Sequence, residues 1–449
     1  RYTRALVRKQ NTTDETILGI IRNENKELAE ENSNKNTMLA STQRDYIAGE
    51  VSRDLTRRLL LPEKIAKANE DGILHFHDAD YFVQPIFNCC LINIADMLDN
   101  GTVMNGKMIE SPKSFQVACT VTTQIIAAVA SNQYGGQSVD MKHLGKYLRK
   151  SYNKFREELE EKYKGKLSND IIESIVQDRL KSELKAGVQT IQYQINTLMT
   201  TNGQSPFVTL FLHLEDGDPY IKENAMIIEE ILRQRYEGIK NESGIYVTPA
   251  FPKLVYVLDG CNCLKGGEYD YLTKMAVKCS AKRMYPDYIS AKKMREIYDG
   301  NVFSPMGCRS FLSPWKDENG NYKFEGRFNQ GVVSINLPQI AIIANKDEEK
   351  FWKLLDERLE LCFEALMCRH YALLGTSSDI SPIHWQYGAI SRLKKGEKID
   401  KLLYGGYSTM SLGYIGIYEM TKAMKGVSHT DPEGHKFATK VMKHLQETT

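Results

Sequence analysis

Three stretches of this chain, Val208 to Leu214, Leu254 to Leu258 and Val332 to Ile343, are β-branched or largely apolar from end to end. A strand with one face in water alternates apolar and polar residues, whereas runs like these mark strands buried on both faces. Helical stretches separate them, among them Tyr220 to Tyr236 and Phe351 to Leu374. Strands alternating with helices imply parallel βαβ units, because a parallel strand needs a crossover long enough to hold a helix. A chain of 449 residues, 42% of them hydrophobic, can spread such units over two or three domains or close them into one large α/β barrel.

The remaining patterning fills in that frame. Thr42 to Ala68 reads as helix and runs into the turn signal Asp71-Gly72, after which a strand carries His75 and His77. Gln116 to Ser131 and Met141 to Lys162 read as helices with apolar faces, separated by Tyr134-Gly-Gly136. Ile171 to Met199 reads as a third, long and amphipathic helix. The first thirty or so residues, polar and leading into Asn32 to Asn36, read as an arm. A formal charge of +2 argues against non-specific nucleic-acid binding. Arg1 to Asp14 is too polar for a signal peptide, and the longest uniformly apolar run, Ile125 to Ala130, is too short to cross a bilayer. Nine cysteines without a disulfide rhythm fit a reducing compartment, so the expectation is a soluble cytoplasmic protein without a membrane partner.

Two of those cysteines stand in unusual settings. Cys308 lies in Ser304-Pro-Met-Gly-Cys-Arg-Ser-Phe311, where Pro and Gly favour a tight turn and Arg309 flanks the thiol. Cys89 opens the run Cys89-Cys-Leu-Ile-Asn-Ile-Ala-Asp96, which reads as a buried strand. On a strand, neighbours point to opposite faces, so only one of Cys89 and Cys90 can reach an interior site. Both Cys308 and Cys89 also fit the plainer reading of core thiols. Cys261-Asn-Cys263 is spaced too tightly for a zinc knuckle and reads as structural. His75 and His77, two apart on a strand, share a face. They either open a metal site or line a pocket as hydrogen-bonding groups; no matching pattern among the other histidines supplies further ligands, and no metal is expected there. Neither GxxxxGK[ST] nor GxGxxG after a strand is present. Any nucleotide must therefore be held otherwise, with Asn202-Gly-Gln-Ser-Pro206 a candidate loop that equally reads as a plain connection.

Read in order, Leu74-His-Phe-His-Asp78, Phe87-Asn-Cys-Cys90, Thr201-Asn-Gly-Gln-Ser-Pro-Phe-Val-Thr209, Met306-Gly-Cys-Arg-Ser-Phe311, Gly326-Arg-Phe-Asn329 and Ser411-Leu-Gly-Tyr-Ile-Gly-Ile-Tyr-Glu419 resemble the anaerobic (class III) ribonucleoside-triphosphate reductases. These are glycyl-radical enzymes, and the resemblance runs from about Asn34 to about Leu445. It implies a ten-stranded α/β barrel with a central finger loop, surrounded by helices and occupying residues 31–449. By the same resemblance Cys308 is the thiyl-radical residue on the finger loop, and Cys89 is the thiol delivering hydrogen towards C2′. Asn329 would hold the substrate hydroxyls, and the presence of Asn fits the branch that takes electrons from formate. His75, His77, Asn202, Gly203, Gln204 and Ser205 would bind the ribonucleoside triphosphate. Glu110, Lys113, Gln124 and Lys154 would bind ATP or deoxynucleotide effectors at a homodimer interface built on helices between about 105 and 200; a solvated charged face is the alternative for each.

The resemblance also places features outside this chain. A small ATP-binding cone would precede the arm of residues 1–30. A C-terminal region with a four-cysteine Zn2+ site and the radical-storing glycine, made by a radical-SAM activating enzyme, would follow Thr449. The fragment alone would then bind nucleotides without turning over. Other readings are a glycyl-radical enzyme of formate-lyase or dehydratase type, or a nucleotide-sensing barrel that has lost catalysis.

Overall fold

The computed structural model describes residues 12–22, 24, 37–201, 203–307 and 310–449. Cys308, Arg309 and Asn202, which the sequence singles out, lie outside them. The centre is an eight-stranded sheet. Its parallel part runs β2 (Cys89–Leu91), β5 (Gln137–Asp140), β6 (Val208–Leu212), β9 (Lys253–Leu258) and β10 (Asp287–Ser290), each strand parallel to the next. The long strand β11 (Arg327–Asn336) runs antiparallel to β2 through its first half and antiparallel to β1 (Leu74–Phe76) through its second. On its other edge it carries β12 (Thr409–Ile415), parallel. Two small hairpins, β3 (Thr102–Met104) with β4 (Lys107–Ile109) and β7 (Ile239–Lys240) with β8 (Tyr246–Val247), stand apart.

The βαβ expectation holds for β6 and β9, which the runs at 208–214 and 254–258 anticipate to within two residues. Every residue of β6 is buried. Phe211, Val255 and Val257 fill one face; Leu210, Leu212, Leu254 and Tyr256 fill the other beneath helices. Each such side chain contributes about 1.5–3 kcal/mol by leaving water, which is why polar alternation is absent. Of the ten strands expected, eight form the sheet among the described residues, and no ladder among those residues joins β10 to β12.

Four local readings also change. The run Cys89 to Asp96 is a strand for three residues only, because Asn93 accepts the Asp96 backbone N–H at 3.2 Å and caps the helix Ile94–Asp99. Val332 to Ile343 is divided in the same way. The strand begins earlier, at Arg327, and ends at Asn336, whose side chain caps the helix Leu337–Ala344 with Pro338 in its first turn. An apolar run cannot reveal this change of period; the capping Asn-x-Pro can. The helical pattern Thr42 to Ala68 is two helices, Ala40–Leu55 and Glu63–Glu70, joined by a π-helical turn, Thr56–Leu60, and Pro62. Within the arm, Thr12–Ile21 is a helix packed on Ala40–Leu55.

Helices clothe the outer face of the sheet. Phe115–Ala130 packs against Asn169–Thr197 so closely that a Cβ on Gly187 would lie 2.6 Å from the Phe115 ring. Glu348–Leu373 crosses behind β11, and Ile417–Lys425 and Pro432–Thr448 close that side. No helix among the described residues is long and apolar enough to cross a membrane.

Candidate active site

β2 and β11 bring two of the singled-out residues together. Asn329 is the cross-strand partner of Cys89. Opposed residues on an antiparallel pair point to the same face, with Cβ atoms about 4.5–5.5 Å apart. Cys89 is 3% exposed and packs inward with Leu91, Met306 and Leu312. Its Sγ donates to Asn88 Oδ1 at 3.2 Å and accepts the Gly136 N–H at 3.2 Å. Cys90 turns the other way, into the core under the helices, and donates to Gln133 Oε1 at 3.1 Å. Burial pushes the Cys90 thiol far above the ordinary range, which leaves it inert at neutral pH. The alternation expected of the pair is therefore present, with Cys89 inside.

Asn329 is held by its amide nitrogen, which donates to Thr409 Oγ1 at 3.1 Å and to Ser411 Oγ at 2.7 Å. Its Oδ1 is buried and, among the described residues, has no hydrogen-bond partner. Such an acceptor is costly to leave unpaired and suits a hydroxyl donor from a ligand. A bulge between Asn329 and Val332 shifts β11 by one residue. It puts Ser334, five positions on, on the same face as Asn329, where an unbroken strand would put it opposite. There Ser334 Oγ meets His77 Nε2 at 2.8 Å. Gly413 on β12 keeps this contact open, since a Cβ there would sit 2.3 Å from Ser334 Oγ.

The loop carrying Cys308 enters the same interior. Its described flanks are tied together by Met306 N–H, which donates to Ser310 O at 2.8 Å. Ser138 Oγ anchors it by donating to Pro305 O at 2.7 Å. Gly136 and Gly307 meet without side chains: a Cβ on either would stand 3.1 Å from the other's Cα. A Cβ on Gly135 would lie 2.6 Å from Cys89 Sγ. Tyr134-Gly-Gly136, read from sequence as a helix separator, is thus the seat on which the loop tip and Cys89 pack.

A cavity of about 1020 Å³ opens at the amino ends of β6 and β9. His75, His77, Gln204, Tyr134 and Phe207 line it, which brings the HxH pair and one residue of the 200s loop to a common space. The two imidazoles stand edge to face with centroids 4.4 Å apart. Burial, the neighbouring His75 and the Arg369 guanidinium push His77 down to about 4, and burial with Arg369 and Arg53 lowers His75. Both are neutral at pH 7 and can accept or donate a hydrogen bond. Gly203 takes φ +67 in a turn fastened by Thr42 Oγ1 to Gly203 O at 3.0 Å, and Ser205 is half-buried beside Gln204.

Sequence reasoning did not find Arg369. Its guanidinium is buried, stacks 4.0 Å from the Phe76 ring centroid and donates to Tyr134 Oη at 3.1 Å. It passes over Gly331, where a Cβ would lie 2.0 Å from Arg369 Cδ. That is the stretch of β11 between its pairings with β2 and β1. The Gly in Asn329-Gln-Gly331 was the available signal. Glu110, Lys113, Gln124 and Lys154 do not join the cavity; all four are exposed on the segment and helices between 105 and 200. At the carboxyl ends of the strands, Asp140, His143 and Glu325 bring ligand-capable atoms within 4.8 Å of one another. Lys142, 3.7 Å from Asp140, and the 2.7 Å contact of His143 with Glu325 already balance those charges.

Comparison with known proteins gives the family. The chain is 40% identical to the anaerobic ribonucleoside-triphosphate reductase of Enterobacteria phage T4, over 98% of this chain and 71% of that protein. It is likewise 40% identical to the enzyme of that name from Escherichia coli strain K12, over 96% of this chain but 59% of the relative's length. The fold is similar to that of the Thermotoga maritima anaerobic ribonucleotide reductase solved with dATP and CTP, with a TM-score of 0.60 at 15% identity, over 91% of this chain and 65% of that one. The sequence profile of the family described as anaerobic ribonucleoside-triphosphate reductase matches residues 31–449, and the chain belongs to that family.

Proposed function

We propose that this chain carries the catalytic sheet of an enzyme that reduces ribonucleoside triphosphates to 2′-deoxyribonucleoside triphosphates under anaerobic conditions. The observation that carries the reading is the cross-strand pairing of Cys89 with Asn329 beneath the tip of the 301–312 loop. Removing a hydroxyl from an unactivated ribose carbon needs a hydrogen-abstracting radical, a hydrogen donor and a group to hold the hydroxyls. Cys308 is the abstracting thiol in this reading; its role rests on the family pattern and on its flanks, which reach Gly136. Cys89 delivers hydrogen towards C2′, and the open Asn329 Oδ1 accepts a ribose hydroxyl. Neutral His75 and His77, with Gln204, orient the nucleotide in the cavity, and Asn202 and Ser205 belong to the same loop. A glycyl radical installed by a radical-SAM activating enzyme would supply the unpaired electron that starts the reaction and would be regenerated at its end, so it does not enter the net balance. With formate as reductant the balance is NTP + HCOO⁻ + H⁺ → dNTP + CO₂ + H₂O.

The finer features follow the family. The interior is a ten-stranded barrel, of which the eight-stranded sheet is the greater part. ATP or deoxynucleotides bind Glu110, Lys113, Gln124 and Lys154 at a homodimer interface, whose exposure on neighbouring elements suits a surface effector site. The test is reduction by the complete activated enzyme. Cys89→Ala is expected to abolish dNTP formation. Asn329→Ala is expected to lower kcat by about 10-fold or more while the protein stays folded, in line with one lost charge-free hydrogen bond in a closed site. Full turnover by Cys89→Ala would overturn the reading.

A further inference from the structure

The turn Thr56–Leu60 is π-helical, with Leu61 N–H bonded to Thr56 O at 3.0 Å. Such turns are rare and recur at functional sites, because the extra residue re-aims the side chains that follow. Thr56 is fully buried and fixes the turn by donating to Ala79 O at 2.9 Å, two residues beyond His77. The consequence is a division of labour between consecutive arginines. Arg58 faces solvent and clasps Asp54 with contacts of 2.9, 2.9 and 2.7 Å. Arg57 instead lines the large cavity. Among the described residues it makes no hydrogen bond or ion pair. Arg53, one turn earlier, and Lys253, at the start of β9, line the same cavity, as does Arg283. Arg283 is committed to carbonyl oxygens of Tyr236 and Glu237, and Arg53 to Glu50. Two carboxylates, Asp78 and Asp80, also line the cavity, leaving a cationic excess.

A guanidinium that lines a cavity with cationic walls and, among the described residues, makes no hydrogen bond, its one charged neighbour Asp54 being clasped by Arg58, is suited to an anion, and its fork of donors matches phosphate oxygens. The cavity is large enough for a nucleotide, and the chain has no glycine-rich phosphate loop to do this work. We infer that Arg57, aimed by the π-helical turn and supported by Arg53 and Lys253, grips the polyphosphate of the nucleotide whose ribose lies towards Cys89 and Asn329. This rests on the reading of the cavity as the nucleotide site.

The test uses the chain labelled with 15N-histidine, in which the ring signals of His75 and His77 report on this cavity and on no surface effector site. Cytidine 5′-triphosphate and cytidine are titrated in parallel. For the unaltered chain, both signals move with the triphosphate. Arg57→Ala is expected to weaken the triphosphate by about 10-fold or more while leaving the response to cytidine unchanged, as loss of a charge-assisted contact predicts. Arg57→Lys should recover part of the loss, and Arg58→Ala should behave as the unaltered chain. Triphosphate affinity unchanged in Arg57→Ala would overturn the inference while leaving the cavity's assignment standing. No response of His75 or His77 to the triphosphate in the unaltered chain would overturn the assignment and the inference together.

Discussion

At the residue scale, the site depends on neighbours with opposite fates. Cys89 and Cys90 differ by one peptide unit, yet one faces the interior beside Asn329 and the other is sealed under helices. Gln133 Oε1 accepts from both Cys90 and His384, so the outer face has its own closed polar network. His384 is fully buried, and burial pushes it down to about 3; His77 is held near 4. An unfolded imidazole takes its proton below about 6.5, whereas these two take theirs only below 4 and 3. Between those values the unfolded state holds the extra protons, so stability must fall as pH is lowered through 6.5 towards 4. Urea midpoints measured from pH 7 to pH 4.5 should show this fall. In His77→Gln the fall should be shallower; an identical slope would mean that His77 is not held neutral in the folded protein.

At the element scale, the contact that matters is backbone on backbone. Gly136 and Gly307 touch where any side chain would intrude, and the Phe207 ring lies 2.9 Å from a Cβ on Gly136. Rings and main chain do not yield as a flexible side chain does. Gly136→Ala should therefore displace the loop tip and cost about 1–3 kcal/mol by overpacking. The expected readout is a lower melting temperature together with loss of activity in the complete enzyme. Gly165, in an open turn with φ +72, provides the contrast: Gly165→Asn should leave activity intact. Activity retained in Gly136→Ala would show that the tip does not need its present seat.

At the scale of the whole molecule, one sheet presents three separate surfaces. Its interior holds Cys89 and Asn329, the amino ends of its parallel strands open the cavity, and its outer helices present the 105–200 surface. Phe115–Ala130 exposes Val117 and Gln124 on the side away from its packing against Asn169–Thr197. If this face joins two copies, sedimentation should give a dimer at micromolar concentration, and Val117→Glu should shift it to monomer with the fold unchanged. A monomer in the unaltered chain would remove the homodimer from the proposal.

Much of this was legible in residue order, for physical reasons. Strands buried on both faces cannot alternate, so β6 and β9 announce themselves; a strand's period of two decides that Cys89 and Cys90 part company. The ordered motifs carry the family. Other features arise from contacts between segments far apart in the chain. The bulge in β11 that aligns Asn329 with Ser334, the passage of Arg369 over Gly331 and the seat of Gly307 on Gly136 each depend on what a distant segment brings. The end of β11, by contrast, was visible in residue order, since Asn336 with Pro338 caps the helix that follows even though the apolar run continues past it. Local sequence sets the period and the caps, whereas register, face and approach distance follow from packing across the sheet.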